Sequence, residues 1–170
     1  MSIELRIPRL TEMSHRQAWL ADPATMAYNR GREAMEGYDP ATGCIDFSRE
    51  NWRWWRQVWL YNEPDFYAAY AFVDQTGAPV GEVCWFREGE DFTAGILIAA
   101  EYRGRGLCAP ALRTLADHAF RREEIPALRC RFSACNLPAI KGFLRAGFHI
   151  HEEASDSVEM LMTREEWERL

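Results

Sequence analysis

Apolar residues in this chain change period along its length, and the changes mark out the elements. Ile3 to Ile7 alternates and predicts a strand. Leu10 to Leu20 and Ala24 to Arg30 carry helical spacing, the second after the start signal Asp22-Pro23. Gly37 to Phe47 is rich in turn residues and predicts a loop. Ser48 stands as an N-cap, with Asn51 at the capping-box position, for a helix through Leu60. Asp65 to Val73, Ala78 to Phe86 and Phe92 to Ile98 predict three strands. Gln75-Thr-Gly77 and Glu88-Gly-Glu90 join them as antiparallel hairpin neighbours. Leu112, Leu115, Ala116, Ala119 and Phe120 share one face of a helix from Leu107 to Phe120. Ala127 to Ala134 alternates, with Leu128, Cys130 and Phe132 against Arg129, Arg131 and Ser133, as a strand with one wet face. Helix Leu137 to Ala146 ends at Gly147, a left-handed cap position. Strands Phe148 to Glu152 and Val158 to Met162 follow, then a terminal helical turn within Thr163 to Leu170. The order predicts an α/β fold with one mixed sheet in a single domain, residues 1–170.

Between the strand ending near Ala100 and the helix opening at Leu107 lies Glu101-Tyr-Arg-Gly-Arg-Gly-Leu-Cys108. A strand that runs through glycines into a helix lets a ligand approach the backbone and presents unpaired N–H groups and a positive dipole end. That arrangement suits phosphate, and Arg103 and Arg105 add charge at its mouth. A Walker loop is excluded because the chain has no Gly-Lys pair. A Rossmann fingerprint is formally met by Gly104, Gly106 and Ala109. It needs an acidic residue roughly 20 positions later, and no Asp or Glu occurs from Ile125 to Ile150. The strand after the helix also alternates, whereas a central Rossmann strand is apolar on both faces.

Arg103-Gly-Arg-Gly-Leu-Cys108 resembles the Arg/Gln-x-x-Gly-x-Gly/Ala turn of the GNAT superfamily of N-acetyltransferases. Asn136-Leu-Pro-Ala-Ile-Lys-Gly-Phe-Leu-Arg-Ala-Gly-Phe148 is similar to the same family's Asn-x-x-Ala-x-x-x-Tyr-x-x-x-Gly-Phe pattern. The resemblance covers roughly residues 78 to 165. It implies a mixed, mostly antiparallel central sheet of about seven strands flanked by helices, and acetyl-coenzyme A as cofactor. It implies that Arg103, Gly104, Arg105, Gly106, Leu107 and Cys108 hold the pyrophosphate. The backbone of Ile96, Leu97 and Ile98 would pair with the pantetheine arm as an added strand does. Asn136 would contact the same arm, and Phe143 would pack beside it. Asn136 is equally well explained as an N-cap. Two positions depart from the family. Phe143 stands where many members carry a Tyr that protonates the departing thiolate, and Thr93 stands where an acidic residue is usual. The activity implied is direct acetyl transfer to a primary amine of a small molecule or a protein N-terminus. The departures keep a non-catalytic acyl-coenzyme A binding module as the alternative.

Composition narrows the setting. The chain has 170 residues, 48% of them hydrophobic and 27% charged, with a formal net charge of −6. The acidic balance disfavours nucleic acid and membrane surfaces and suits a cationic acceptor. No apolar run approaches the ~20 residues of a membrane span, and the first residues lack the layout of a signal peptide. Five scattered cysteines without CxxC spacing predict reduced thiols in a cytoplasmic protein and no metal site. The final hairpin suits a homodimer.

Glu82 follows Gly81 on a central strand. It reads either as a general base that takes the acceptor's proton or as a carboxylate paired with an arginine. Trp52, Trp55 and Trp59 fall on one helix face and predict packing on the sheet. Trp54 lies off that stripe. With Tyr28 and Tyr38 it is a candidate wall for an acceptor ammonium, held by cation–π contact.

Overall fold

The structure is a computed structural model that describes residues 2–31, 36–73, 77–122 and 124–170. Its strands are β1 (Ile3–Arg6), β2 (Phe66–Val73), β3 (Pro79–Glu88), β4 (Asp91–Ile98), β5 (Ala127–Ser133), β6 (His149–Glu153) and β7 (Ser157–Thr163). They form one sheet in the order β1-β2-β3-β4-β5-β7-β6. Every neighbouring pair is antiparallel except β4 and β5. The β3–β4 connection is a two-residue hairpin at Gly89-Glu90, with Glu88 opposite Asp91. Of the expected turn Gln75–Gly77, Gln75 and Thr76 lie outside the described residues.

Among the described residues, five α-helices flank the sheet: α1 (Met13–Ala21), α2 (Asn51–Trp59), α3 (Cys108–Phe120), α4 (Leu137–Ala146) and α5 (Arg164–Trp167). The alternation of each strand decides which residues meet which helices. Val83, Trp85, Phe92, Ala94, Leu128, Phe132, Met160 and Met162 pack with Leu112, Leu115, Ala119 and Phe120 of α3 and Phe143 and Ala146 of α4. The opposite face buries Ala68, Tyr70 and Phe72 against Met13, Trp19 and Leu20 of α1 and Trp55 of α2. Leu112 and Leu115 are fully buried, and each such side chain contributes about 2 kcal/mol. The tryptophan stripe behaves as its spacing predicts. Trp55 stacks on Trp59 at 6.0 Å, and Trp59 meets Phe66 and Phe86 of the sheet edge-on.

Two N-terminal helices differ from expectation. The one expected over Ala24 to Arg30 shrinks to a single 3-10 turn, Ala27–Asn29. Its start is held as a turn instead, because the Asp22 carboxylate accepts from the N–H groups of Ala24 and Thr25 and from the Thr25 hydroxyl. The second helix begins at Asn51, three residues after Ser48, with no side-chain cap. At the C-terminus, Thr163 and Glu166 form a reciprocal capping box for α5.

Candidate active site

The parallel junction of β4 and β5 opens the molecule. The two strands pair only at Thr93 and Arg129. Beyond that point β5 leaves β4 and stays paired with β7 along its length. The edge of β4 from Ala94 to Ile98 is therefore uncovered, and a cavity of about 1010 Å³ runs along it. Ile96, Leu97 and Ile98 line one wall; Cys130, Phe132, Asn136, Ala139 and Phe143 line the other. An open strand edge offers main-chain donors and acceptors to an extended ligand.

At the C-terminal end of β4 the chain makes a 3-10 turn, Ala100–Tyr102, and then the glycine turn. Gly104 and Gly106 have φ of 74° and 76°. That left-handed region strains any residue with a Cβ by about 1–2 kcal/mol. A Cβ built at either glycine meets nothing within 4 Å, so the space in front of them is clear. Helix α3 starts at Cys108 with no side-chain cap and no acidic residue in its first turn. Its first internal hydrogen bond runs from Ala111 to Leu107. The N–H groups ahead of it, on the turn and at Cys108 and Ala109, are of the kind that receive an anion. Pro110 lacks an N–H where one is least needed.

The two arginines of the turn behave differently from the charged mouth expected of them. Arg103 lines the cavity, but each of its three guanidinium nitrogens donates to a carbonyl oxygen. Nε donates to Ile98 at 3.0 Å, Nη1 to Ala24 at 2.9 Å, and Nη2 to Thr25. It lies 5.7 Å from the Tyr28 ring. Arg105 is exposed, donates to the Glu101 carbonyl at 3.0 Å, sits over the Tyr102 ring, and does not line the cavity. The guanidinium forks of this turn are thus turned onto backbone carbonyls, while its N–H groups face the clear space.

Leu107 is buried at the cavity wall beside Cys108. Burial pushes the Cys108 thiol up to about 11, and its sulfur packs against Gly142 where α3 meets α4. At that value roughly one molecule in a thousand carries the thiolate at pH 8. Cys108 should therefore resist iodoacetamide at pH 8 while exposed Cys135 is alkylated. Peptide mass spectrometry over a time course reads the difference, and comparable rates at both sites would contradict this burial.

Asn136 lines the cavity and also caps α4, its Oδ1 accepting from the Ala139 N–H at 3.2 Å. Phe143 is 1% exposed, wedged between Phe132 at 5.3 Å and Phe148 at 4.9 Å. It forms the floor of the cavity and has no proton to give.

Glu82 is where the residue reading needs correction. It does not line the cavity. Glu82 is 7% exposed, and its Oε1 accepts from Arg16 Nη1 at 2.8 Å. Burial raises its pKa, with the adjacent guanidinium opposing. Arg16 lies over the Phe47 and Trp55 rings. The arginine-pairing reading of Glu82 is the one the geometry matches, with the partner 66 residues away on α1. Two of the three acceptor-wall candidates also fall elsewhere. Trp54 is 61% exposed on the outer face of α2. Tyr38 donates its hydroxyl to the Asn29 carbonyl and does not reach the cavity. Tyr28 does line it, half-exposed.

Other lining residues were not among the candidates read from the sequence. Thr25, Met26 and Asn29 bring the N-terminal loop to the cavity. Toward the β3–β4 hairpin, Glu88, Asp91 and Glu159 line it together with Arg129 and Arg131. Arg129 pairs with Asp91 and Glu159, and Arg131 with Glu159 and Glu152. These charges lie on the sheet face away from α3, as strand alternation requires.

The family profile described as "Acetyltransferase (GNAT) domain" matches residues 3–149. No curated protein matches the sequence significantly. Among solved structures, the fold is similar to AAC(6')-Ib in complex with ribostamycin and coenzyme A. The TM-score is 0.74 at 21% identity, covering 99% of this chain and 97% of that one. It is similar to spermidine N-acetyltransferase from Vibrio cholerae in complex with CoA and spermine, with a TM-score of 0.77 at 13% identity over 98% of each chain. A GNAT-family acetyltransferase from Bacillus anthracis matches at a TM-score of 0.73 and 13% identity, covering 97% of this chain and 96% of that one. With a splayed β4–β5 cleft, a glycine turn ahead of α3, and a family match over most of its length, the chain belongs to the GNAT family of acetyl-coenzyme A-dependent N-acetyltransferases.

Proposed function

We propose that this protein transfers the acetyl group of acetyl-coenzyme A to a primary amine of a small polycationic acceptor. The observation that carries the reading is the uncovered edge of β4 running into a glycine turn with a clear approach. Acetyl-coenzyme A, when bound, supplies a thioester carbonyl for the amine to attack. The residues that would hold it are the backbone of Ile96, Leu97 and Ile98, the N–H groups from Gly104 to Cys108, and Asn136. Phe132, Phe143 and Leu107 keep the floor apolar. In such a setting main-chain donors of β4 act strongly on developing negative charge. Holding both reactants in one cleft supplies a large share of the rate by proximity, without a dedicated acid.

The acceptor class is argued from charge. Glu88, Asp91 and Glu159 line the cleft on the face away from α3, and Tyr28 offers a ring at the other end. The chain as a whole carries a net charge of −6. Asp91 and Glu159 are already paired with Arg129, so Glu88, the Tyr28 ring and the overall net charge are what favour a cationic amine such as a polyamine or an amino sugar. The structural neighbours in complex with spermine or ribostamycin support the same class. Arg16 occupies Glu82, so the proposal assigns the ammonium proton to water or to a carboxylate lining the cleft, not to Glu82.

The test is thiol release from acetyl-coenzyme A over a panel of spermidine, kanamycin, ribostamycin, free amino acids and N-terminal peptides. Saturable turnover with a polyamine or amino sugar, at kcat/KM at least about tenfold above the peptides, is the expected result. Equal turnover across the panel, or a preference for peptides, would overturn the acceptor assignment. Coenzyme A binding without turnover on any amine would favour the non-catalytic reading that Phe143 raises.

A further inference from the structure

Arg103 is the first residue of the cofactor turn, yet its side chain points its donors at a different segment. The guanidinium bridges Ile98, the last residue of β4, to Ala24 and Thr25 on the N-terminal loop. Those two attachment points are separated by more than 70 residues of chain. Thr25 completes the connection. It is buried, 5% exposed, and its Oγ1 accepts from the Ala100 N–H at 2.9 Å just ahead of the turn. The same hydroxyl donates to Asp22 Oδ2 at 2.6 Å. Asp22 in turn accepts from the Ala24 and Thr25 N–H groups at 3.1 and 3.0 Å. Met26 donates to the Asp22 carbonyl at 2.9 Å and Asn29 to the Met26 carbonyl at 2.9 Å. The residues so ordered, Thr25, Met26, Tyr28 and Asn29, are cavity lining.

We propose that Arg103 and Thr25 form a strut through which filling of the glycine turn orders the acceptor-side loop from Asp22 to Asn29. The inference rests on the cofactor reading above and adds a coupling to it. Arg103 acts as a positioning residue, since each of its three guanidinium nitrogens already donates to a carbonyl of the protein. A guanidinium suits the task because its rigid planar fork serves three carbonyls in fixed directions, whereas an ammonium is a single point on a flexible stem. An anion held by the N–H groups from Gly104 onward restrains the backbone that carries Arg103. The restraint passes through the guanidinium and the Thr25 hydroxyl to the wall that carries Tyr28. Two ligands that share a rigid element bind with positive coupling, and the coupling is reciprocal.

Hydrogen exchange of the whole protein tests this without knowledge of the acceptor. Desulfo-coenzyme A, which cannot react, is the probe. In the wild type it should slow exchange at the amides of residues 104–109 and, by about tenfold, at those of residues 24–30. In Thr25→Val and Arg103→Met the turn should still be protected, while the loop effect falls below about twofold. Thr25→Ser keeps the hydroxyl and should restore the loop effect, which loss of packing alone would not predict. Protection of the turn with no change at the loop in the wild type would overturn the strut and leave the cofactor reading standing. No protection at the turn would overturn both.

Discussion

Glutamate in place of Gly106 is expected to abolish coenzyme A binding while leaving the protein folded. Gly106 has φ of 76°, and a Cβ added there meets nothing within 4 Å. The folding penalty is therefore backbone strain, about 1–2 kcal/mol, which a domain of this size tolerates. Binding suffers far more. The new carboxylate would stand in the clear space before N–H groups that favour an anion, and would compete for them and repel the pyrophosphate. We expect a loss of at least about a hundredfold in affinity, or about 3 kcal/mol. Gly106→Ala carries the same strain without the charge and should weaken binding by less than about tenfold. Calorimetric titration with coenzyme A on both variants, with melting temperature as the control, reads the difference. Equal weakening in Ala and Glu would mean that turn conformation, not anion exclusion, decides binding. Unchanged affinity in the Glu variant would remove the turn from the site.

The second large effect concerns Arg16 and Glu82. Glu82→Leu leaves a guanidinium on the sheet face with its partner gone and should cost about 3–5 kcal/mol. For a chain of this length that is a fall of about 10 °C in melting temperature. Arg16→Met should cost less. Burial raises the Glu82 pKa and the guanidinium opposes that rise, so without Arg16 the carboxyl is pushed further up and its buried charge is more readily neutralised. The double variant should recover most of the loss, because an apolar pair can replace a buried ion pair. Glu82→Gln separates structure from chemistry, since the amide oxygen can still accept from Arg16. Turnover within about tenfold of wild type is expected. A loss of 10²–10⁴-fold in kcat at unchanged melting temperature is what removal of a general base produces. It would reinstate Glu82 as the proton acceptor.

What was legible in the sequence follows from the range of the interactions involved. Period-two and period-3.6 patterns are local, so β2, β3, β4, α3, β5 and α4 fall within a residue or two of their expected ends. Gly147 reads as a helix stop and has φ of 108°. The turn and α4 that wall the cavity were equally legible, because Arg103 to Cys108 and Asn136 to Phe148 are contiguous motifs. Within a motif, side-chain direction was not. Arg103 reads as a phosphate ligand from its neighbours, and only the fold brings Ala24 and Thr25 to it. The acceptor side depends on contacts across long separations. Arg16 meets Glu82, Arg129 meets Glu159, and Tyr38 turns inward to Asn29. No spacing rule encodes such partners. Asp22-Pro-Ala-Thr25 is the one overlooked local signal, for a carboxylate followed by a Thr three residues on closes a turn and ends the helix pattern expected after it.

A crystal structure of the protein with coenzyme A tests the central claim most directly. The account predicts the pyrophosphate on the N–H groups of residues 104–108, the pantetheine along the open edge of β4, and Arg103 still bonded to Ile98, Ala24 and Thr25. Coenzyme A bound away from the β4–β5 cleft, or an Arg103 side chain released from Thr25 to pair with phosphate, would contradict it.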